Sequence, residues 1–216
     1  MTAIIQQIAV GPMGNFSYLV SCPETKQAVL IDPSAEPERL LAEVQALEAT
    51  LIAVINTHGH VDHIAGNAAI LEATGVPLIA HADAELRGSD AMTMQFLAML
   101  QGRPSPQPDR RVQHGERIEI GKVWLEVIHT PGHTPGDMSL YTPGAVITGD
   151  VLFVGGIGRT DLPGSSHAEL ERSLTEKLGQ LSDDTVVYPG HDYGMQPTST
   201  IGQEKRSNPF MRAALM

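Results

Sequence analysis

The stretch Leu51 to His63, LIAVINTHGHVDH, constrains this chain more than any other. Its β-branched run Leu51–Ile55 is bounded by polar residues and predicts a buried strand. Four potential metal ligands, His58, His60, Asp62 and His63, follow within six positions. The fold must therefore end a strand rigidly at a polar site. Neutral imidazole nitrogens and carboxylate oxygens suit zinc and iron. His58 and His60 can approach one ion from an extended loop, with Gly59 permitting a tight backbone; Asp62 and His63 then point elsewhere, at a second ion. With nine His in 216 residues, such a cluster arises by chance on the order of once in a thousand chains.

The rest of the composition narrows the class. A length of 216 residues suits one domain with a substantial core, and 42% hydrophobic with 18% charged residues is globular. The net charge of −11, with no run of Lys or Arg, opposes binding to a phosphate backbone, so nucleic acid is not an expected partner. One cysteine, Cys22, cannot close an internal disulfide. No apolar stretch approaches the ~20 residues of a membrane span, and the N-terminus lacks a basic segment followed by an apolar one. The expected location is cytoplasmic, without membrane association; the oligomeric state is left open.

Taken in order, Ile4–Val10 and Ser17–Ser21 predict a hairpin around Gly11–Asn15. Ala28–Asp32 is a strand, and Glu36–Ala49 a helix with Leu40, Leu41, Val44 and Leu47 at helical spacing. One helix is expected over His63–Thr74, stopped by Gly75, then a strand Val76–Ala80. Ala82–Gln101 predicts a helix whose Met92, Met94, Phe96, Leu97, Met99 and Leu100 read as core. Pro104, Pro106 and Pro108 make Gly102–Asp109 a loop. Arg117–Ile120, Lys122–His129, Met138–Tyr141 and Ala145–Thr148 predict a meander, followed by a helix His167–Gln180, a strand Thr185–Tyr188 and a terminal helix Ile201–Met216 interrupted at Pro209.

Three further polar residues follow predicted strands and a glycine: His133 in TPGHTPG, Asp150 in ITGD and His191 in YPGHD. Their placement repeats that of the first cluster and makes them candidate ligands. THGHVDH, PGHTPG, TGDVLF and YPGHD, in this order and spacing over nearly the whole chain, resemble the metallo-β-lactamase superfamily, and within it the glyoxalase II-like (hydroxyacylglutathione hydrolase-like) enzymes. The resemblance implies an α/β fold, an αββα four-layer sandwich in a single domain over residues 1–216, with metal at one edge. It implies that His58, His60 and His133 bind one divalent ion, that Asp62, His63 and His191 bind another, and that Asp150 bridges both. Zinc is the favoured metal, with iron and manganese also accommodated by such ligands.

The activity so implied is hydrolysis of a small-molecule thioester by a metal-bound hydroxide, with Asp62 orienting the water and Asp150 holding the pair of ions. A thiol with a pKa near ~8.5 departs as thiolate without a strong acid. The better-known glyoxalase II enzymes hold glutathione through a C-terminal region of basic and aromatic residues; only Lys205 and Arg206 stand in the corresponding part of this sequence, which leaves the thiol carrier open. GGIGRTDLPG and HDYG are similar also to persulfide dioxygenases, which use one iron held at the equivalents of His58, His133 and Asp150, with Tyr193 expected beside it. Arg159 and Asp161 read more simply as an ion pair shaping a loop. A metal-binding protein without turnover is the third reading.

Other branches fit less well. The commonest β-lactamases use a cysteine ligand, whereas Cys22 precedes every motif; flavodiiron-type reductases need an acidic residue where His60 stands, and processing nucleases carry nucleic-acid-binding extensions. Four histidines lie outside the set. His129 is expected as a half-buried strand residue, and His81, His114 and His167 as surface or capping residues.

Overall fold

Strands buried on both faces read as unbroken apolar runs, and here AVLI and LIAVI form the middle of a sheet sealed on either side. The computed structural model describes residues 1–86 and 91–214, without the side chain of residue 92. The first sheet comprises β1 (Ile4–Val10), β2 (Asn15–Ser21), β3 (Gln27–Ile31), β4 (Thr50–Asn56), β5 (Leu78–His81) and β6 (Arg110–Val112), side by side in that order. β1 to β3 run antiparallel and β3 to β6 parallel. Between them lie α1 (Pro37–Ala46), α2 (Val61–Ile64), α3 (Asn67–Thr74) and α4 (Ala91–Met99).

The second sheet is built from β7 (Arg117–Ile120), β8 (Val123–His129), β9 (Met138–Thr142), β10 (Ala145–Gly149), β13 (Val186–Pro189) and β14 (Ser199–Thr200). β7 to β10 form the expected meander, and β13 lies parallel to β10. A small hairpin, β11 (Leu152–Phe153) and β12 (Gly156–Ile157), follows β10. The chain continues through α5 (His167–Arg172) and closes with α6 (Ile201–Ser207) and α7 (Pro209–Ala214).

Side-chain alternation along the strands divides the interior into three seams. Phe16, Tyr18, Val29 and Ile55 of the first sheet meet Leu125, Val127, Leu140 and Ile147 of the second in the central seam. Leu19, Leu30, Val54 and Leu78 point the other way, onto Leu40 and Val44 of α1 and Ile70 of α3. Val146 and Val187 pack outward on Leu170, Leu174, Ile201 and Met211. Helix, sheet, sheet, helix is thus the order of layers, as the resemblance implied. Among the described residues no helix is long and apolar enough to cross a membrane.

Several local expectations are corrected. The single helix over 63–74 is instead two, α2 and α3, because the chain must turn where Gly66 donates its N–H to Pro33 O at 2.7 Å and a Cβ on Gly66 would lie 2.5 Å from that oxygen. Residues 82–86 are not helical, 87–90 and the Met92 side chain lie outside the described residues, and the described helix starts at Ala91. Its methionines are not core: Met94 and Met99 are exposed, while Leu97 and Leu100 pack on Val61 and Ala65. The helix from His167 relaxes after Arg172 into wider π-type turns over Ser173–Lys177 and a 3₁₀ turn over Leu178–Gln180. Strands β6, β11, β12 and β14 are too short for periodicity to reveal. The terminal helix breaks before Pro209 as expected, and residues 215–216 lie outside the described ones.

Candidate metal centre

Both sheets deliver strand ends to one edge. β3 and β4 run parallel, so Asp32 and the segment Thr57–His60 emerge side by side. β10 ends at Asp150, the loop after β8 carries His133, and β13 leads into His191. Backbone bonds tie these ends together: Met138 N–H donates to Thr57 O (2.9 Å), Gly190 N–H to Gly149 O (2.7 Å) and Phe16 N–H to Gly190 O (2.9 Å). Gly59 is required here, since a Cβ would lie 1.8 Å from Glu85 O.

All seven sequence-predicted residues meet at this edge. Donor atoms of His58, His60 and His133 lie within 4.8 Å of one another, and so do those of Asp62, His63 and His191. His133 Nε2 stands 2.8 Å from His60 Nδ1, and His63 Nε2 stands 3.1 Å from His191 Nε2. Asp150 touches both groups, with Oδ1 3.3 Å from His63 Nε2 and Oδ2 3.3 Å from His191 Nε2 and 3.7 Å from His133 Nε2.

The outward nitrogens are occupied. His133 Nδ1 bonds Arg159 O (3.0 Å), His191 Nδ1 bonds Met13 O (3.2 Å), His63 Nδ1 bonds Asp32 Oδ2 (3.1 Å), and His58 Nδ1 bonds Thr57 Oγ1 (3.1 Å). A carbonyl or carboxylate on Nδ1 puts the proton there and leaves a lone pair on Nε2. Thr57 Oγ1, its own proton given to Asp32, acts on His58 in the same way, so the Nε2 atoms of His58, His63, His133 and His191 face inward, each with a lone pair to offer when its ring is neutral.

Electrostatics follow from burial and this crowding. Burial, with the neighbouring His63 ring, holds His58 well below the usual imidazole range, and burial with His133 brings His60 down to about 4. For His191 burial acts downward too, but its bonds to Asp150 and Asp62 outweigh it and raise the group to about 9; His63 is raised by the same two carboxylates. Asp62 and Asp150 are held well below the usual carboxylate range, burial being outweighed by His63 and His191.

Among the described residues, the side chains bonded to or ion-paired with Asp32, Asp62 and Asp150 are Asn15, Thr57 and histidines, none of them Lys or Arg. Buried carboxylates without such partners call for a cation. His58 Nε2 and Asp150 Oδ1 are buried without a hydrogen bond. An orphaned inward nitrogen and carboxylate oxygen, ring nitrogens opposed at close range and buried carboxylates whose charge partners among the described residues are histidines together fit divalent metal.

Supporting residues were not evident in the sequence. Asp32 is buried, receives Thr57 N–H at Oδ1 (2.8 Å) and Thr57 Oγ1–H at Oδ2 (2.6 Å), and adopts φ of 48° to do so. Asn15 donates from Nδ2 to Asp62 Oδ2 (3.1 Å) and pairs with His191 across a β-bridge. The usable signal was position: both residues flank a strand at the same sheet edge.

His81 corrects the surface expectation, being 3% exposed, with its ring stacked on His129 at 3.9 Å and 14°. His81 Nδ1 accepts the Asp83 N–H (3.2 Å) and His129 Nε2 bonds Pro135 O (2.9 Å), so these rings with Asp83 make a poorer metal set than the main cluster. His129 is half-buried as expected, and His114 and His167 are exposed. Arg159 and Asp161 form the expected ion pair, at 2.9 Å. Tyr193 stacks on His191 with ring centroids 4.5 Å apart.

Known proteins resemble this chain over most of its length. Residues 10–191 match the family model described as Metallo-beta-lactamase superfamily. Hydroxyacylglutathione hydrolase GloC of Haemophilus influenzae is 36% identical, over 88% of this chain and 90% of its own. The crystal structure of TTHA1623 in a di-iron-bound form superposes with a TM-score of 0.83 at 36% identity, covering 95% of this chain and 99% of that one. ETHE1 from Myxococcus xanthus superposes with a TM-score of 0.80 at 34% identity, covering 98% and 88%. The layered sheets, the histidine-rich edge and these likenesses place the chain in the metallo-β-lactamase superfamily.

Proposed function

We propose that the chain is a metal-dependent hydrolase that cleaves a small-molecule thioester. The observation that carries this is Asp150, a buried carboxylate in contact with histidines of both triads. His58, His60 and His133 would hold one divalent ion, Asp62, His63 and His191 a second, and Asp150 both. Bound there, the ions supply Lewis acidity, lowering the pKa of water and polarising a carbonyl; zinc suits the donor set, as do iron and manganese.

The chain's own groups position the reactants. Asp62, kept ionised by His63 and His191 and held by Asn15, can accept a hydrogen bond from a water and orient it. His133 and Asp150 form part of the wall of a cleft in which a substrate can lie. No lysine lines that cleft among the described residues, and a thiol leaving group needs no strong acid. The relative named hydroxyacylglutathione hydrolase supports the same class.

A second reading, a persulfide dioxygenase with a single iron on His58, His133 and Asp150, draws on the likeness to ETHE1 and on Tyr193 stacked against His191. One purification separates the readings: metal per chain by elemental analysis, with parallel assays of thioester cleavage, including S-lactoylglutathione, and of oxygen uptake on glutathione persulfide. Two ions and thioester cleavage are expected. One iron with oxygen uptake replaces the hydrolase by the dioxygenase, and bound metal with neither activity leaves a metal-binding protein.

A further inference from the structure

The cleft beside Asp150 and His133 encloses about 390 Å³, near the lower end of the ~300–1,000 Å³ usual for small-molecule sites. Its walls are mainly apolar, made by Phe153, Val154, Ile157, Tyr193 and Phe210. Arg159, the cation on them among the described residues, is paired at the surface, with Nε 2.9 Å from Asp161 Oδ1 and an Nη 2.9 Å from Oδ2. Among the described residues no other Lys or Arg lines this wall, and the chain carries a net charge of −11. A carboxylate at the end of an acyl chain, beyond the metal centre at His133 and Asp150, would meet the net negative field of the chain.

Two rings stand open to solvent beside this polar centre: Tyr193 is 59% and Phe210 48% exposed. Phe210 is held in place by buried polar groups. Asn208 Oδ1 accepts the Phe210 N–H (3.0 Å), and Asn208 Nδ2 donates to Gly156 O (3.0 Å) and to Glu204 Oε2 (2.9 Å). Glu204 Oε2 also accepts the Gly155 N–H (2.9 Å). Glu204 and Asn208, both fully buried, thus lock the β11–β12 turn to the first turn of α7. A half-exposed aromatic whose backbone is anchored on a cleft wall next to a polar centre has the form of a binding contact.

We propose that this cleft receives an uncharged acyl chain of several carbons and that Phe210 is a specificity-determining residue for it. The inference rests on the hydrolase reading for its reaction but not for its binding. Each CH₂ buried favours binding; a partly open wall should keep a fraction of the full gain, and a chain four carbons longer should gain roughly tenfold in kcat/KM.

The test uses the metal-replete protein with thioesters of one neutral carrier, N-acetylcysteamine. Hexanoyl should exceed acetyl by roughly tenfold in kcat/KM, and adipoyl, which ends in a carboxylate, should fall back to the acetyl level or below. Phe210→Ala should erase most of the chain-length preference with metal content unchanged, and Phe210→Leu should retain part of it. A binding measurement runs beside it: calorimetry with the uncleavable thioether S-hexyl-N-acetylcysteamine, expected to bind roughly tenfold more weakly to Phe210→Ala. Equal rates for acetyl and hexanoyl, adipoyl as good as hexanoyl, or thioether binding indifferent to Phe210→Ala would each overturn the proposal. Absence of turnover on every thioester removes the hydrolase reading, and the thioether measurement then decides the cleft by itself.

Discussion

Asp32→Asn is the sharpest probe of the centre, because it changes no volume and touches no proposed ligand directly except through His63. Asp32 accepts three hydrogen bonds, from Thr57 N–H, Thr57 Oγ1–H and His63 Nδ1–H. An asparagine can keep one acceptor oxygen, on the Thr57 N–H, and must then turn its amide N–H toward Thr57 Oγ1 and His63 Nδ1. His63 would respond by moving its proton to Nε2, which faces Asp150 at 3.3 Å and His191 at 3.1 Å. Thr57 Oγ1, with its former acceptor gone, would donate to His58 Nδ1 and shift that proton to Nε2 as well. Two inward lone pairs would be lost together.

Outer partners of this kind are worth ~10- to 100-fold in metal affinity, or about 1.4 to 2.8 kcal/mol at 1.4 per decade. The fold should also weaken. Two bonds to a charged acceptor at ~1.5–3 kcal/mol each, partly recovered by the amide, suggest a loss of roughly 2 to 4 kcal/mol. That is tolerable against a total of ~5–15 kcal/mol. Chelator competition would measure the affinity, denaturant unfolding of the metal-free protein the stability, and nitrogen-15 imidazole spectra the tautomers. A folded Asp32→Asn protein that binds metal as tightly as the parent would show that the inward lone pairs do not depend on this carboxylate, and the argument for the donor set would fail.

Other perturbations are expected to act more simply. Asp150→Ala should abolish activity and remove most metal together, since Asp150 contacts histidines of both triads; elemental analysis showing two retained ions would refute its bridging role. Gly59→Ala would drive a methyl against Glu85 O, 1.8 Å from the added carbon, and should cost at least the ~1–3 kcal/mol of ordinary overpacking, read as a lower unfolding midpoint. Burial, then the stacked His129, holds His81 down to about 4. The unfolded chain therefore binds the extra proton between that value and the ordinary ~6.5. The stabilising contribution is complete above about 6.5 and is lost as pH falls toward 4. Unfolding midpoints should decline over this window in the parent and less so in His81→Gln; parallel curves would refute the assignment.

The sequence was most informative where a local rule and a long-range constraint coincide. The apolar runs of β3 and β4 are visible because strands buried on both faces exclude polar residues, and the turns after them are marked by Asp32-Pro33 and by Thr57-His58-Gly59. The seven residues at the candidate centre were legible because each follows a strand end. Asp32 and Asn15 were not, since a carboxylate or amide beside a turn looks the same whether it caps the turn or holds a histidine in a neighbouring strand. The Met-rich segment misled for a related reason. An amphipathic pattern reports which residues are apolar, while only the packing of α4 against α2 decides that Leu97 and Leu100 turn inward and Met94 and Met99 do not.

Strand patterning and the histidine motifs by themselves determined most of the strands and helices and the identities of the polar groups at strand ends, while the layer order and the metal edge were expected only from the resemblance those motifs carry. Tertiary structure alone decided which nitrogen of each ring faces inward, that Asp32 and Asn15 hold the histidines and carboxylate beside them, and that Phe210, some 60 residues after Asp150, stands on the wall of the same cleft. The division has a physical cause. Hydrophobic periodicity and turn chemistry are local properties that a chain carries along its length. The protonated face of an imidazole, or the neighbour across a cleft, is set by hydrogen bonds and packing between segments that are distant until the two sheets close on each other.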